Sequence, residues 1–164
     1  MGGNDMGITT AKGEIGEAII LADLQRQGHG VAIPFGHDLP YDLIVVRKED
    51  GALERVQCKY TTSNGKVVFA KITSTSAWVQ HRYTSEEVDW IAVYDATTDI
   101  CLYLPASVWN GQVCVNVRLA PTANGQVKRI RFVESFRALT GDPHATFWSG
   151  SAGTIPLPLG ASPE

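Results

Sequence analysis

The sequence predicts an α/β fold in which one helix precedes a β-sheet built around a central hairpin. Three observations lead to it. Residues 10–27 carry apolar side chains at helical spacing, between threonines that can cap and a glycine that can stop the helix. Residues 41–47 and 53–60 are dense in Val, Ile and Leu and flank Lys48-Glu49-Asp50-Gly51. Further short apolar runs recur downstream between turn residues.

In the helix, a Thr9 or Thr10 hydroxyl can accept from a free first-turn N–H, and Gly28 tolerates the left-handed stop. Ile15, Ala18, Ile19, Leu21 and Ala22 make an apolar arc, with Lys12, Asp23 and Arg26 opposite. Residues 31–35 read as a short strand. Asp50-Gly51 signals a tight hairpin, because a type I′ turn needs positive φ at both centres. With those residues as a two-residue loop, Glu49 faces Ala52, and the ladder sets Asp42 opposite Lys59. Residues 66–72 read as a fourth strand, followed by a polar, Thr- and Ser-rich stretch to Ser85. Residues 89–95 and 100–104 form a second hairpin. Residues 105–109 read as one helical turn, 113–119 alternate like a strand, and 128–139 fit strand or helix. The expected organisation is a flexible N-terminus over 1–9, one domain over 10–140 and a mobile tail over 141–164, where Ser, Gly and Pro collect.

The chain has 164 residues, the size of one domain. Such a chain buries roughly 70% of its unfolded surface, so it needs no staples. Hydrophobic residues are 44% and charged residues 19%, which excludes a disordered chain. The longest apolar run, residues 18–22, is too short to span a bilayer. No secretion signal opens the sequence, and a cytoplasmic protein is the expectation. Cys58, Cys101 and Cys114 form no CxxC pair, which argues against a disulfide scaffold or zinc finger. A net charge of −3 argues against a surface that grips nucleic acid all over. Local basic patches, or an acidic metal site, remain compatible with it.

Four polar residues occupy otherwise apolar segments: Glu17, Asp42, Gln57 and Lys59. On the hairpin, Asp42, Gln57 and Lys59 share one face with Ile44, Val46, Leu53 and Arg55, while Leu43, Val45, Val56 and Cys58 cover the other. A one-residue slip would turn Asp42 to the wrong face. Such a cluster suits metal-assisted phosphodiester hydrolysis. Asp42 offers hard oxygen to Mg²⁺ (or Mn²⁺), and the Cys58 backbone carbonyl offers a second ligand. The metal lowers the pKa of a bound water, which Lys59 can orient while offsetting phosphate charge. Glu17 is bordered by Ile20, Leu21 and Leu24, and desolvation there needs a cation to keep it charged. Glu14 is a rival for that role. An exposed hairpin rim accounts for Asp42, Gln57 and Lys59 equally well when they are taken alone.

KGEIGEA at 12–18, PYDLIV at 40–45 and VQCKY at 56–60 resemble the motifs of the PD-(D/E)xK nuclease superfamily. The resemblance is strongest to its Gln-x-Lys branch, which includes a group I intron homing endonuclease. PFG at 34–36 and RYTSEEVDWIAVY at 82–94 are similar to that branch too. Archaeal Holliday junction resolvases share Lys12, Gly13 and Glu17 at the start of the helix. The resemblance spans residues 10–119. It implies a restriction-endonuclease-like core with a mixed sheet, in a Mg²⁺-dependent DNA endonuclease that works as a homo-oligomer. It also implies a metal-binding aspartate at Asp42, the motif lysine at Lys59 and the helix glutamate at Glu17. Gln57 stands where most of the superfamily has Asp or Glu, and Tyr41 separates Pro40 from Asp42. Homing, restriction, repair and junction resolution all stay open.

For DNA phosphates the candidates are Lys66, Lys71, Arg82, Lys128, Arg129 and Arg131, with 128–131 the densest group. His29, His37, His81 and His144 lack ligand spacing, Cys58 reads as a core residue, and Trp78, Trp90, Trp109 and Trp148 read as core or cover. Two other functions fit the same residues: a DNA-binding module without cleavage, and a structural or assembly protein. Metal binding separates the nuclease from the assembly protein, and cleavage separates it from the binding module.

Overall fold

The structure, a computed structural model, describes residues 5–36, 38–76, 79–121 and 130–146. The chain begins with α1 (Asp5–Arg26) and continues through β1 (Gly30–Ala32), β2 (Leu43–Val46), β3 (Leu53–Thr61), β4 (Val67–Lys71), β5 (Thr73–Ser76) and β6 (Val79–Arg82). Then follow β7 (Trp90–Asp95), β8 (Ile100–Pro105), α2 (Ala106–Trp109), β9 (Cys114–Arg118) and a 3-10 turn (Val133–Phe136). The main sheet has the order β1-β2-β3-β7-β8. Only β3–β7 is parallel within it, so the sheet is mixed, as expected. β4 pairs with β9 and β5 with β6 in separate antiparallel ribbons. No helix among the described residues is long and apolar enough to cross a membrane.

The helix starts at Asp5, not near Thr10. Its buried line is Gly16, Ile20 and Leu24, whereas Ile15 and Ala18 of the expected arc face solvent. Gly16 decides this. A Cβ there would lie 3.2 Å from Tyr60 Cβ, tighter than an ordinary contact, so glycine lets the helix settle this closely on β3 without a shift of Tyr60. Helix and sheet enclose Leu43, Val45, Val56, Cys58, Trp90, Ala92 and Tyr103, while Ile91, Val93, Leu102 and Leu104 face a second core closed by β4, β9 and Trp109.

The central hairpin corrects the expected register. Leu43 pairs with Val56 and Val46 with Leu53, which sets Asp42 level with Gln57 and not with Lys59. The loop is 48–51, closed by Arg47 N–H to Ala52 O at 2.9 Å and by Gly51 N–H to Arg47 O at 2.9 Å. Gly51 has φ +74°, but Asp50 keeps negative φ and accepts the Ala52 amide on its side chain, so no type I′ turn forms. The displacement is two residues. A strand's side-chain period is also two, and the facing of Asp42, Gln57 and Lys59 survives.

The β5–β6 ribbon occupies the polar stretch that carried no expected strand. Residues 79–82 are all exposed, so no alternation of burial marked them. Within 128–139 the chain makes the 3-10 turn, and 122–129 lie outside the described residues.

Segment 139–146, which straddles the expected boundary at 140, is tied to distant elements. Leu139 N–H donates to Gln27 Oε1, Arg47 donates to Gly141 O at 2.7 Å, and Ser107 N–H donates to Pro143 O at 2.8 Å. The His144 ring lies 2.9 Å from Asp89 Oδ1. Asp89 is a hub, because it also accepts from Arg55 N, Nε and Nη2. Burial pushes its carboxyl up, but the Arg55 and His144 bonds outweigh burial and hold it below the usual range. Its stabilisation is therefore present above the ordinary aspartate pKa and lost as pH falls through the lowered one. Asp89→Ala leaves Arg55 with the Glu86 carbonyl but without its carboxylate, and is expected to cost about 3 kcal/mol. A thermal melt should show Tm lower by roughly 6–12 °C, and no change would mean that water already screens the cluster.

Candidate active site

The site forms where β2 leaves the ladder. Asp42 N–H still donates to Val56 O at 2.9 Å, and its carboxylate then serves as the next acceptor for β3. Asp42 Oδ2 takes the Cys58 N–H at 2.7 Å and the Gln57 side-chain amide at 2.5 Å. The Gln57 Nε2 lies 3.2 Å from the Cys58 carbonyl as well. One buried NH₂ group therefore sits between the two oxygen donors expected of a cation site. Gln57 and Lys59 project on the same face of β3, and Cys58 between them packs into the helix-side core. Burial and the neighbouring Asp42 and Glu17 charges push the Cys58 thiol well up, so it stays protonated and inert.

Glu17 senses the Asp42 charge. Burial raises the Glu17 pKa first, then Asp42 and Glu14 raise it further. Burial also raises Asp42, against the lowering effects of the Cys58 N–H and the Lys59 ammonium. Glu14 lies one turn earlier on α1 and is exposed. Glu17 follows Gly16, which is seated on Tyr60. Asp42 and Glu17, whose carboxyl the Asp42 charge helps to raise, form with the Cys58 carbonyl a hard oxygen set that fits Mg²⁺ or Mn²⁺. No group of three or more His, Cys, Asp or Glu side chains among the described residues could hold a metal. A cation here needs the Cys58 carbonyl as well as carboxylates.

Lys59 lies along the same face, and its ammonium donates to the Tyr83 hydroxyl at 3.1 Å while sitting 4.7 Å from that ring's centroid. The sequence reading missed Tyr83, whose only local signal was its place inside RYTSEEVDWIAVY. It also missed the buried acids Glu54, Asp89 and Asp95. Glu54 is held by Trp90 and Arg47, and Asp95 by Ser63 and Thr98, so all three have structural partners.

Among the expected DNA contacts, Lys66, Lys71 and Arg82 are exposed on or beside β4 and β6, and Arg131 is half-buried. Lys128, Arg129, His37, Trp78 and Trp148 lie outside the described residues. Trp90 and Trp109 are core residues.

Residues 8–139 match the family model described as PD-(D/E)XK endonuclease. A solved bacterial homing endonuclease, I-Ssp6803I, is similar over 79% of this chain and 88% of its own, at 25% identity and a TM-score of 0.56. No curated protein matches the chain. The matched span takes in most of α1, the whole main sheet and residues 17, 42, 57 and 59, and the chain belongs to the PD-(D/E)XK endonuclease family.

Proposed function

We propose that the protein is a Mg²⁺- or Mn²⁺-dependent DNA endonuclease that hydrolyses phosphodiester bonds at the Asp42–Gln57–Lys59 face. The observation that carries this reading is the convergence of Asp42, Glu17, the Cys58 carbonyl and Lys59 at one end of the central hairpin. Asp42, Glu17 and the Cys58 carbonyl would hold the cation, which supplies a water of lowered pKa and polarises the phosphate. The Lys59 ammonium orients the attacking water and offsets the charge that grows on the phosphate oxygens. The water oxygen bonds to phosphorus, one ester P–O bond breaks, and the departing oxygen takes up a proton. Lys66, Lys71, Arg82, Lys128, Arg129 and Arg131 are the proposed phosphate contacts that carry affinity. A homo-oligomer would set two such sites on one duplex, the arrangement that cutting both strands requires. Purified protein incubated with plasmid and branched DNA, with and without Mg²⁺, tests the reading: nicks or breaks only with metal support it, and intact DNA throughout overturns it.

One observation favours a second reading, a DNA-binding module without cleavage. The neutral Gln57 amide donates to both Asp42 and the Cys58 carbonyl, the two oxygens a cation would take. Gln57→Glu weighs the two. A carboxylate at 57 cannot donate to Asp42 and adds repelling charge beside it, so without metal Tm should fall at pH 8. With Mn²⁺ the extra charge should make the metal-induced rise in Tm larger than in the wild type. A smaller rise would remove position 57 from the cation's surroundings.

A further inference from the structure

The geometry points to Tyr83 as the positioning residue for Lys59, an inference that rests on the nuclease reading above. A lysine ammonium ends a flexible four-carbon stem and has three donors. To orient a water, it must be held by something that leaves its charge and its other donors free. Tyr83 meets that need. Its hydroxyl accepts one N–H at 3.1 Å, and its ring centroid lies 4.7 Å from the ammonium, so direction and attraction come from the same side chain. Both are neutral. A carboxylate in that place would hold the lysine as firmly but cancel much of the charge that a phosphate needs.

Tyr83 is itself fixed. It is 4% exposed and belongs to the core cluster that includes Val68, Ile72, Val88 and Ile91. Its N–H points to Ile72 O, and the His81 ring meets its ring edge-on at 5.4 Å and 85°. The post therefore stands on the crossover between β3 and β7, while the lysine it steadies stands on β3. Tyr83 touches no reacting atom in this scheme; it acts through Lys59.

A core tyrosine that merely fills space predicts something different, and Tyr83→Phe separates the two. The ring and its packing stay; the hydroxyl goes. With Mg²⁺ saturating, kcat on cleaved DNA should fall about ten- to hundredfold, with KM and DNA affinity unchanged. The Tm loss caused by Tyr83→Phe should be present in the wild type and absent in a Lys59→Met background, since the pair is already broken there. A wild-type kcat in Tyr83→Phe overturns the proposal, and so do equal Tm losses in both backgrounds. If the wild-type protein cuts no DNA with Mg²⁺, the nuclease reading fails by itself. The two-background Tm comparison then still decides whether Tyr83 holds Lys59.

Discussion

Lys59→Ala is expected to slow DNA cleavage by about 100-fold or more, equivalent to about 2.7 kcal/mol of lost transition-state stabilisation. Its ammonium lies on the face shared with Asp42 and Gln57, and a positive group at that place counts most as the phosphate passes through its transition state. DNA affinity should change far less, because one phosphate contact among several is a small share of binding. Lys59→Arg should rescue poorly: a planar fork with fixed donor directions does not reproduce a compact ammonium beside the Tyr83 hydroxyl. The control is Lys48→Ala. Lys48 bonds Gln27 O at the far end of the same hairpin and should leave cleavage unchanged. Gel-based rates with Mg²⁺ saturating check all three, and a Lys59→Ala protein that cuts at the wild-type rate would remove this hairpin from the chemistry.

Asp42→Asn is expected to abolish the stabilisation that a divalent cation gives. For the wild type, cation at about 100 times its Kd should add about 2.7 kcal/mol, or roughly 5–11 °C in Tm. The variant should show almost none of this, because an amide oxygen is a weaker ligand than a carboxylate. Without metal the order reverses. Burial holds the Asp42 carboxyl above its ordinary pKa, so its favourable contribution is present below that ordinary value and lost as pH rises through the raised one. An asparagine oxygen can still accept the Cys58 and Gln57 N–H bonds while carrying no charge. Metal-free Asp42→Asn should thus melt at or above the wild type at pH 7–8. Equal cation-induced shifts in the two proteins would take Asp42 out of the metal site.

Much of this site was legible because its residues break local rules. Asp42, Gln57 and Lys59 are polar in strands that otherwise read Val, Ile and Leu, and period-two alternation assigned their face even with the loop misjudged. The loop was misjudged because Asp50-Gly51 meets the residue preference of a type I′ turn, whereas Asp50 instead caps Ala52 from negative φ. The helix arc failed at Ile15 and Ala18 for a reason invisible in hydropathy: a missing side chain at Gly16 set which face could approach Tyr60. Tyr83 stayed hidden because it follows β6, whose four residues are all exposed, so no alternation of burial exists there to read. The hub at Asp89 was equally silent, since its partners Arg55 and His144 come from sites remote in the chain.

The parallel pairing of β3 with β7 bears on the order in which the molecule is made. β2 and β3 are joined by a four-residue loop and can pair as soon as both exist, bringing Asp42, Gln57 and Cys58 together locally. β7 reaches β3 only after the whole crossover through β4, β5 and β6 has been closed, and that closure costs chain entropy before any contact repays it. Tyr83 rides on that crossover. One closure of the chain thus sets both the parallel β3–β7 pairing and the tyrosine that meets Lys59.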